Sequence, residues 1–246
     1  MRVNMRIFTL VLVFSFSFLG GSFAASLAEA QKDYLQGDYE SAIVKAKTLR
    51  VNPDNLYFIG LAYMKINDYK NARIYFRSLV KNFQYSRLYP WGLVRLADTY
   101  FFQKEYDDAF SLYKKINEEY ITSDIEPRVL LRLAQLASKK GLWQEKNKYI
   151  NSIKSKYPHC PEMKFVKILE SLGDFFTIQV GAFSERKNAL SLADELSQDY
   201  YSYIIEDKKG SFPIYKVRVG KYKDRFEAQK VFDALLNKGY PAHIYP

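Results

Sequence analysis

From Asp174 to Pro246 the chain writes one pattern twice. Phe176-Thr177-Ile178-Gln179-Val180-Gly181-Ala182-Phe183 returns as Tyr215-Lys216-Val217-Arg218-Val219-Gly220-Lys221-Tyr222. Each copy then runs acidic-Arg, Glu185-Arg186 and Asp224-Arg225, and reaches an alanine, Ala189 and Ala228. One offset of 39 relates all these pairs and still relates Leu196 to Leu235. A duplicated unit is a fold signature, because a half that cannot bury its apolar face alone must pack on its twin.

Each copy changes period at its glycine. Before it, Phe176, Ile178 and Val180 alternate with Thr177 and Gln179, and Tyr215, Val217 and Val219 alternate with Lys216 and Arg218. Period two with one polar face predicts a half-buried strand. After it, Ala189, Leu192, Ala193 and Leu196 recur at helical spacing, as do Ala228, Val231, Phe232 and Leu235. Gly181 and Gly220 read as turn residues. Tyr200 to Ile205 and the alternating Tyr240, Ala242 and Ile244 predict two further strands. The order is β-α-β-β-α-β, an α+β ferredoxin-like split βαβ module. Both helices are expected on one sheet face, leaving the other open with Thr177, Gln179, Lys216, Arg218, His243 and Tyr203.

The segment 174–246 resembles the SPOR (sporulation-related repeat) domain, on the strength of Gln179-Val180-Gly181-Ala182-Phe183-Ser184 and Arg218-Val219-Gly220-x-Tyr222-x-Asp224-Arg225. The resemblance implies binding to peptidoglycan glycan strands denuded of peptides by amidases, which accumulate at division septa. It places the glycan on the open sheet face, with Gln179 as the best-matched contact. Ala182 stands where many members have Ser, so a hydroxyl contact there is missing or replaced. A stripped strand offers hydroxyls, N-acetyl groups and lactyl carboxylates. Gln can donate to and accept from sugars, Lys216 and Arg218 can meet carboxylates, and Tyr203 or Tyr245 can pack on a pyranose face. The candidate set is Gln179, Arg218, Lys216, Thr177, Tyr203, His243 and Tyr245. The plain alternative for each is a solvated residue on an antiparallel sheet.

A second repeat fills 26–157. Gly37-Asp38-Tyr39-x-x-Ala42 recurs as Asn67-Asp68-Tyr69-x-x-Ala72 and Lys104-Glu105-Tyr106-x-x-Ala109. A weaker copy is Gly141-Leu142-Trp143, with Lys146 at the alanine place. The tyrosine and tryptophan positions step by 30, 37 and 37. Leu56, Ile59, Gly60, Tyr63, Ala72 and Phe76 fit the tetratricopeptide (TPR) spacing, as do Leu93, Leu96, Ala97, Tyr100, Ala109 and Tyr113. The region resembles a TPR-like helical solenoid of four helix pairs. The resemblance implies a protein partner in the concave groove, of unidentified nature. The repeated aromatic and alanine positions are packing positions and nominate no contact. Residues 158–173 read as a linker with a short helix docked on the array.

Arg2, Arg6 and an apolar run from Ile7 to Leu19, followed by Ser22-Phe23-Ala24, predict a secretory signal peptide over 1–24. Counted through Ala25 the run approaches spanning length, so an uncleaved inner-membrane anchor is the alternative. The expected location is the periplasm or cell envelope, with the division septum as its finer form. Cys160 is the sole cysteine, so no intramolecular disulfide can form. The formal charge is +10, yet from residue 174 onward 11 Lys and Arg oppose 10 Asp and Glu. The surplus lies mainly in the middle region and suits acidic partners, wall polymers or peripheral contact with anionic lipid.

No nucleophile elbow, zinc-binding helix motif or phosphate loop occurs. His159 and His243 with Cys160 do not make a metal set without carboxylates, and Glu118-Glu119 diverge on a helix. No catalysis, metal or cofactor is expected. The sequence therefore reads as a non-enzymatic envelope protein that docks on glycan and recruits a protein, in cell division or wall remodelling. One alternative is an outer-membrane assembly or secretion scaffold with glycan binding as its anchor. Another is a nucleic-acid-binding module, since split βαβ sheets also describe RNA-recognition domains. The leader and the lack of RNP aromatics oppose that second alternative, and no nucleic-acid partner is expected.

Overall fold

The structure, a computed structural model, describes residues 26–208, 210 and 212–246. The expected signal peptide lies outside the described residues. Eight helices form four consecutive pairs: α1 (Leu27–Gln36) with α2 (Tyr39–Lys47), α3 (Pro53–Lys65) with α4 (Tyr69–Asn82), α5 (Tyr89–Phe102) with α6 (Tyr106–Glu119), and α7 (Glu126–Lys140) with α8 (Trp143–Lys156). One turn joins the helices within every pair. Gly37, Asn67, Lys104 and Gly141 all take the left-handed conformation, with φ of 88°, 60°, 64° and 71°. The following amide then reaches back five residues, as from Asp68 N to Tyr63 O and from Glu105 N to Tyr100 O, each 3.0 Å. This is the Schellman closure of a helix. In the first two pairs the next side chain starts the new helix, Asp38 and Asp68 accepting from the amides of Ser41 and Asn71.

The repeated alanines Ala42, Ala72 and Ala109 are fully buried. They let neighbouring helices touch, and Gly60 does so more tightly still. A Cβ there would stand 2.6 Å from the Phe76 ring. Packing across the pairs is continuous, with Phe76, Tyr113, Ile116, Leu133 and Leu136 fully enclosed. Each enclosed aliphatic chain contributes about 1.5–3 kcal/mol from removal of its apolar surface from water.

After α9 (Met163–Ser171), which buries Val166 and Leu169 against α7 and α8, the chain enters its second module. This comprises β1 (Phe176–Phe183), α10 (Arg186–Leu196), β2 (Ser202–Asp207), β3 (Ile214–Tyr222), α11 (Arg225–Asn237) and β4 (His243–Tyr245). The strand order is β2-β3-β1-β4 with every pair antiparallel, so β3 is inserted between β1 and β2. Ile178, Val180, Val217 and Val219 face Ala189, Ala193, Leu196 and Leu235 of the two helices. The fold is a helical solenoid followed by the split βαβ sheet.

The glycines differ from their expected role. Gly181 and Gly220 sit inside β1 and β3, and the pairing slips beside each of them. The slip adds a residue and reverses the alternation, as a β-bulge does. Phe183 and Tyr222 therefore turn into the core, where strict period two would place Ala182 and Lys221. At Gly220 φ is 69°, and a Cβ would lie 2.0 Å from the Tyr222 ring. The duplicated Gly-x-aromatic is thus a bulge with its own aromatic folded back over the glycine.

The two modules meet at the fourth helix pair, where the TPR pattern is weakest. Trp143 stands in the tyrosine place. Its Nε1 donates to the Lys223 carbonyl at 3.0 Å and its ring packs on Phe176 at 5.0 Å. Lys146 stands in the alanine place and is 1% exposed. Its Nζ donates to the Gly173 carbonyl at 3.0 Å and pairs with Asp174. Arg225 reaches over Phe176. The departures from the repeat are the residues that hold the second module.

Candidate functional site

The sheet face away from α10 and α11 carries the chemistry. Strand register places Tyr203 of β2 opposite Arg218 of β3, Arg218 opposite Gln179 of β1, and Gln179 opposite His243 of β4. Four of the expected contacts thus form one row across all four strands. In the neighbouring row Thr177 pairs with Tyr245.

The face is not an open plane. The C-terminal end of α9 and the segment after it stand beside it, and Ile168, Ser171, Leu172 and Phe175 form one side of a trough of about 600 Å³. Tyr203, Lys216, Arg218, Lys221 and Tyr245 of the sheet line the rest of it, with the carboxylates Glu206 and Asp207 and the ammonium of Lys208 at the end of β2. Arg218 is only 7% exposed, its guanidinium 4.7 Å from the Tyr245 ring centre, and its Nε is buried without a hydrogen-bond partner. Lys216 is half-buried and pairs with Asp207 at 2.6 Å. Among the described residues Arg218 and Lys221 have no carboxylate partner. The Lys221 Nζ lies 5.2 Å from the ring centre of Tyr203, 5.3 Å from Phe175 and 5.8 Å from Tyr201.

Three expected contacts lie outside the trough. Thr177 is 1% exposed because its strand is central and Tyr203 reaches across β3 to cover it. The Tyr203 hydroxyl donates to Thr177 Oγ1 at 3.0 Å, and Thr177 donates to the Val219 carbonyl at 3.2 Å. Thr177 holds the platform together and offers no free hydroxyl. Gln179 is half-buried, with Oε1 buried and unpartnered, and it does not line the trough. His243 is exposed at the end of the row, edge-on to Tyr245 at 5.0 Å, also outside the trough.

Sequence reasoning missed Lys221, Phe175 and the α9 residues. Lys221 was hidden by strict alternation, which assigns it to the core; the Gly220 bulge turns it outward. The signal available was the aromatic at Tyr222, which matches Phe183 across the repeat. Nothing in the chain's periodicity indicates that α9 flanks the sheet.

The array carries its own charged cluster. Asp98 of α5 is fully buried and accepts from Arg132 Nε at 2.8 Å, Arg95 at 3.2 Å and the Tyr113 hydroxyl at 2.7 Å. Burial alone would raise its carboxyl pKa, but the charges of Arg132, Arg128 and Arg95 and the Tyr113 bond outweigh that and hold it below the usual carboxylate value. Arg128, Arg132 and Gln135 of α7 face Phe102 of α5 and Glu162 and Phe165 from the α9 region across a smaller hollow. Among the described residues no His, Cys, Asp and Glu cluster could hold a metal ion, and no helix is long and apolar enough to cross a membrane.

Residues 172–246 match the family model of the SPOR domain. Residues 53–82 and 92–120 each match a model of the tetratricopeptide repeat. No curated protein matches the chain. Among solved structures, it is similar to Pseudomonas aeruginosa PilF, at 18% identity over 60% of this chain and 68% of that one, with a TM-score of 0.45. It is also similar to MamA 41-end from Desulfovibrio magneticus RS-1, at 15% identity over 58% and 81%, with a TM-score of 0.46. A MamA RS-1 double mutant is 16% identical over 69% and 92%, with a TM-score of 0.49.

Proposed function

Because the chain carries a C-terminal SPOR domain behind tetratricopeptide repeats, we infer that it is a non-enzymatic envelope protein that grips glycan with one module and a partner protein with the other. SPOR domains point to peptidoglycan and to the cell envelope, and tetratricopeptide repeats to protein–protein contact. Both are binding modules. The finer reading is that the trough takes peptide-free glycan of the kind found at septa. The concave side of the array then holds a division or wall-remodelling protein beside it.

One observation carries this reading: Arg218 and Lys221, two cations without carboxylate partners among the described residues, lie among aromatic rings in a trough on the sheet face. Lactyl carboxylates suit the cations, and pyranose faces suit Tyr203 and Tyr245. A stem peptide would add bulk at those same carboxylates, which favours stripped strands. Gln179 stands in the same row, between Arg218 and His243.

The test is co-sedimentation of the full chain with sacculi before and after amidase treatment. Amidase-treated sacculi should retain more protein. Lys221→Ala, on an exposed residue, should weaken retention about two- to fivefold, the size of one cation contact. Equal, negligible retention on both preparations, or stronger capture by RNA than by glycan, would sink the reading.

A further inference from the structure

The trough has a side that lies outside the four strands and two helices of the duplicated unit. Ile168, Ser171 and Leu172 come from α9 and its end, and Phe175 from the segment before β1. α9 is itself fixed by Val166 and Leu169, buried among α7 and α8 side chains. The Lys146 contacts to Gly173 and Asp174 pin the chain between α9 and β1. Ile168 and Ser171 therefore come from the helix docked on the array, while Leu172 and Phe175 are the first residues of the SPOR segment, and the joint between modules holds all four against the sheet.

We propose that the saccharide site is composite, with α9 and Phe175 supplying a second side that selects and holds the sugar chain against Arg218 and Lys221. The inference rests on the glycan reading above. Two independent features support it. Arg218 is more than nine-tenths buried, and its unpartnered Nε lies in the trough residue nearest the centre of the four-strand row. Phe175 and Tyr203 bracket the Lys221 ammonium at 5.3 and 5.2 Å, so an aromatic from outside the sheet and one from within it share a single cation. A carboxylate-bearing sugar entering there meets the cation between two rings, in a geometry the sheet alone does not provide. Leu172 and Ile168 give the ring an apolar flank to leave water against.

The experiment uses the full chain with amidase-treated sacculi as the probe. Ser171 is exposed on the trough side of α9, so Ser171→Trp should fill the trough without disturbing the fold. Apparent affinity should fall at least tenfold. Phe175→Ala should lower it about three- to tenfold. Ser155→Trp places the same bulk on an exposed part of α8 outside the trough and should bind as wild type. Circular dichroism and melting temperature establish that each variant is folded; should Phe175→Ala melt early, Ser171→Trp decides. Wild-type affinity in folded Ser171→Trp, with Lys221→Ala still weakened, overturns the composite site and leaves the glycan reading standing. Failure of wild type itself to bind overturns both.

Discussion

Asp98 shows how one residue commits a segment of the array. Its carboxylate is fully buried, and among the described residues it is compensated by Arg132, Arg95, Arg128 and Tyr113. Asp98→Asn removes the charge while leaving the arginines crowded together, and should cost about 3–5 kcal/mol of stability. Urea denaturation of the two proteins measures it. The same carboxyl sets an acid limit. Its folded pKa lies below the ordinary 3.8, so it stabilises the fold above that value and loses the contribution as pH falls through the lower, folded one. The wild-type urea midpoint should therefore drop more steeply below about pH 4 than that of Asp98→Asn. A parallel acid profile in both would show that Asp98 is not the titrating group. Nothing in the sequence distinguishes Asp98 from a solvated helix carboxylate, because its partners Tyr113 and Arg132 are 15 and 34 residues away.

At the scale of the element, much was legible. The Gly-Asp-Tyr and Asn-Asp-Tyr copies fall on turns where a left-handed residue is followed by a capping carboxylate, a combination with few sequence solutions; in the Lys-Glu-Tyr copy Glu105 caps nothing and pairs with Arg73 instead. Lys104 is the poor fit among the four. A side chain with a Cβ at φ 64° is strained where glycine is not. Lys104→Gly should raise stability by about 0.5–1 kcal/mol, the relief of strain being partly offset by a freer unfolded chain. A calorimetric melt reads the gain, and a lower melting temperature would mean that the Lys104 side chain itself matters. Strand existence was equally legible from alternation at Ile178, Val180, Val217 and Val219. The facing of Lys221 was not, since a bulge depends on backbone angles and on the partner strand, which local periodicity does not encode. β4 is also shorter than its alternating residues suggest, pairing only over His243–Tyr245.

For the whole molecule, the informative residues were the ones that broke a pattern. Lys146 and Trp143 looked like decay of the last repeat, and in three dimensions they are its attachment to the sheet module. Their meaning was hidden because it depends on residues up to 80 positions away. Lys146→Ala restores the small residue used in the other three copies, so the array should keep its packing while the joint loses about 2 kcal/mol of hydrogen bonding and ion pairing. The two modules should then melt in separate steps, and protease should cut sooner between α9 and β1. A single unchanged transition would show that Trp143 and Phe176 suffice. A stiff joint also gives attachment a direction. A flexible tether would leave captured cargo free to swing through a sphere around its anchor point. A bracket fastened at Lys146 and Trp143 would instead hold the hollow of the array at one bearing to the sheet module, so that, on the proposed function, docking on the wall would aim whatever the array carries.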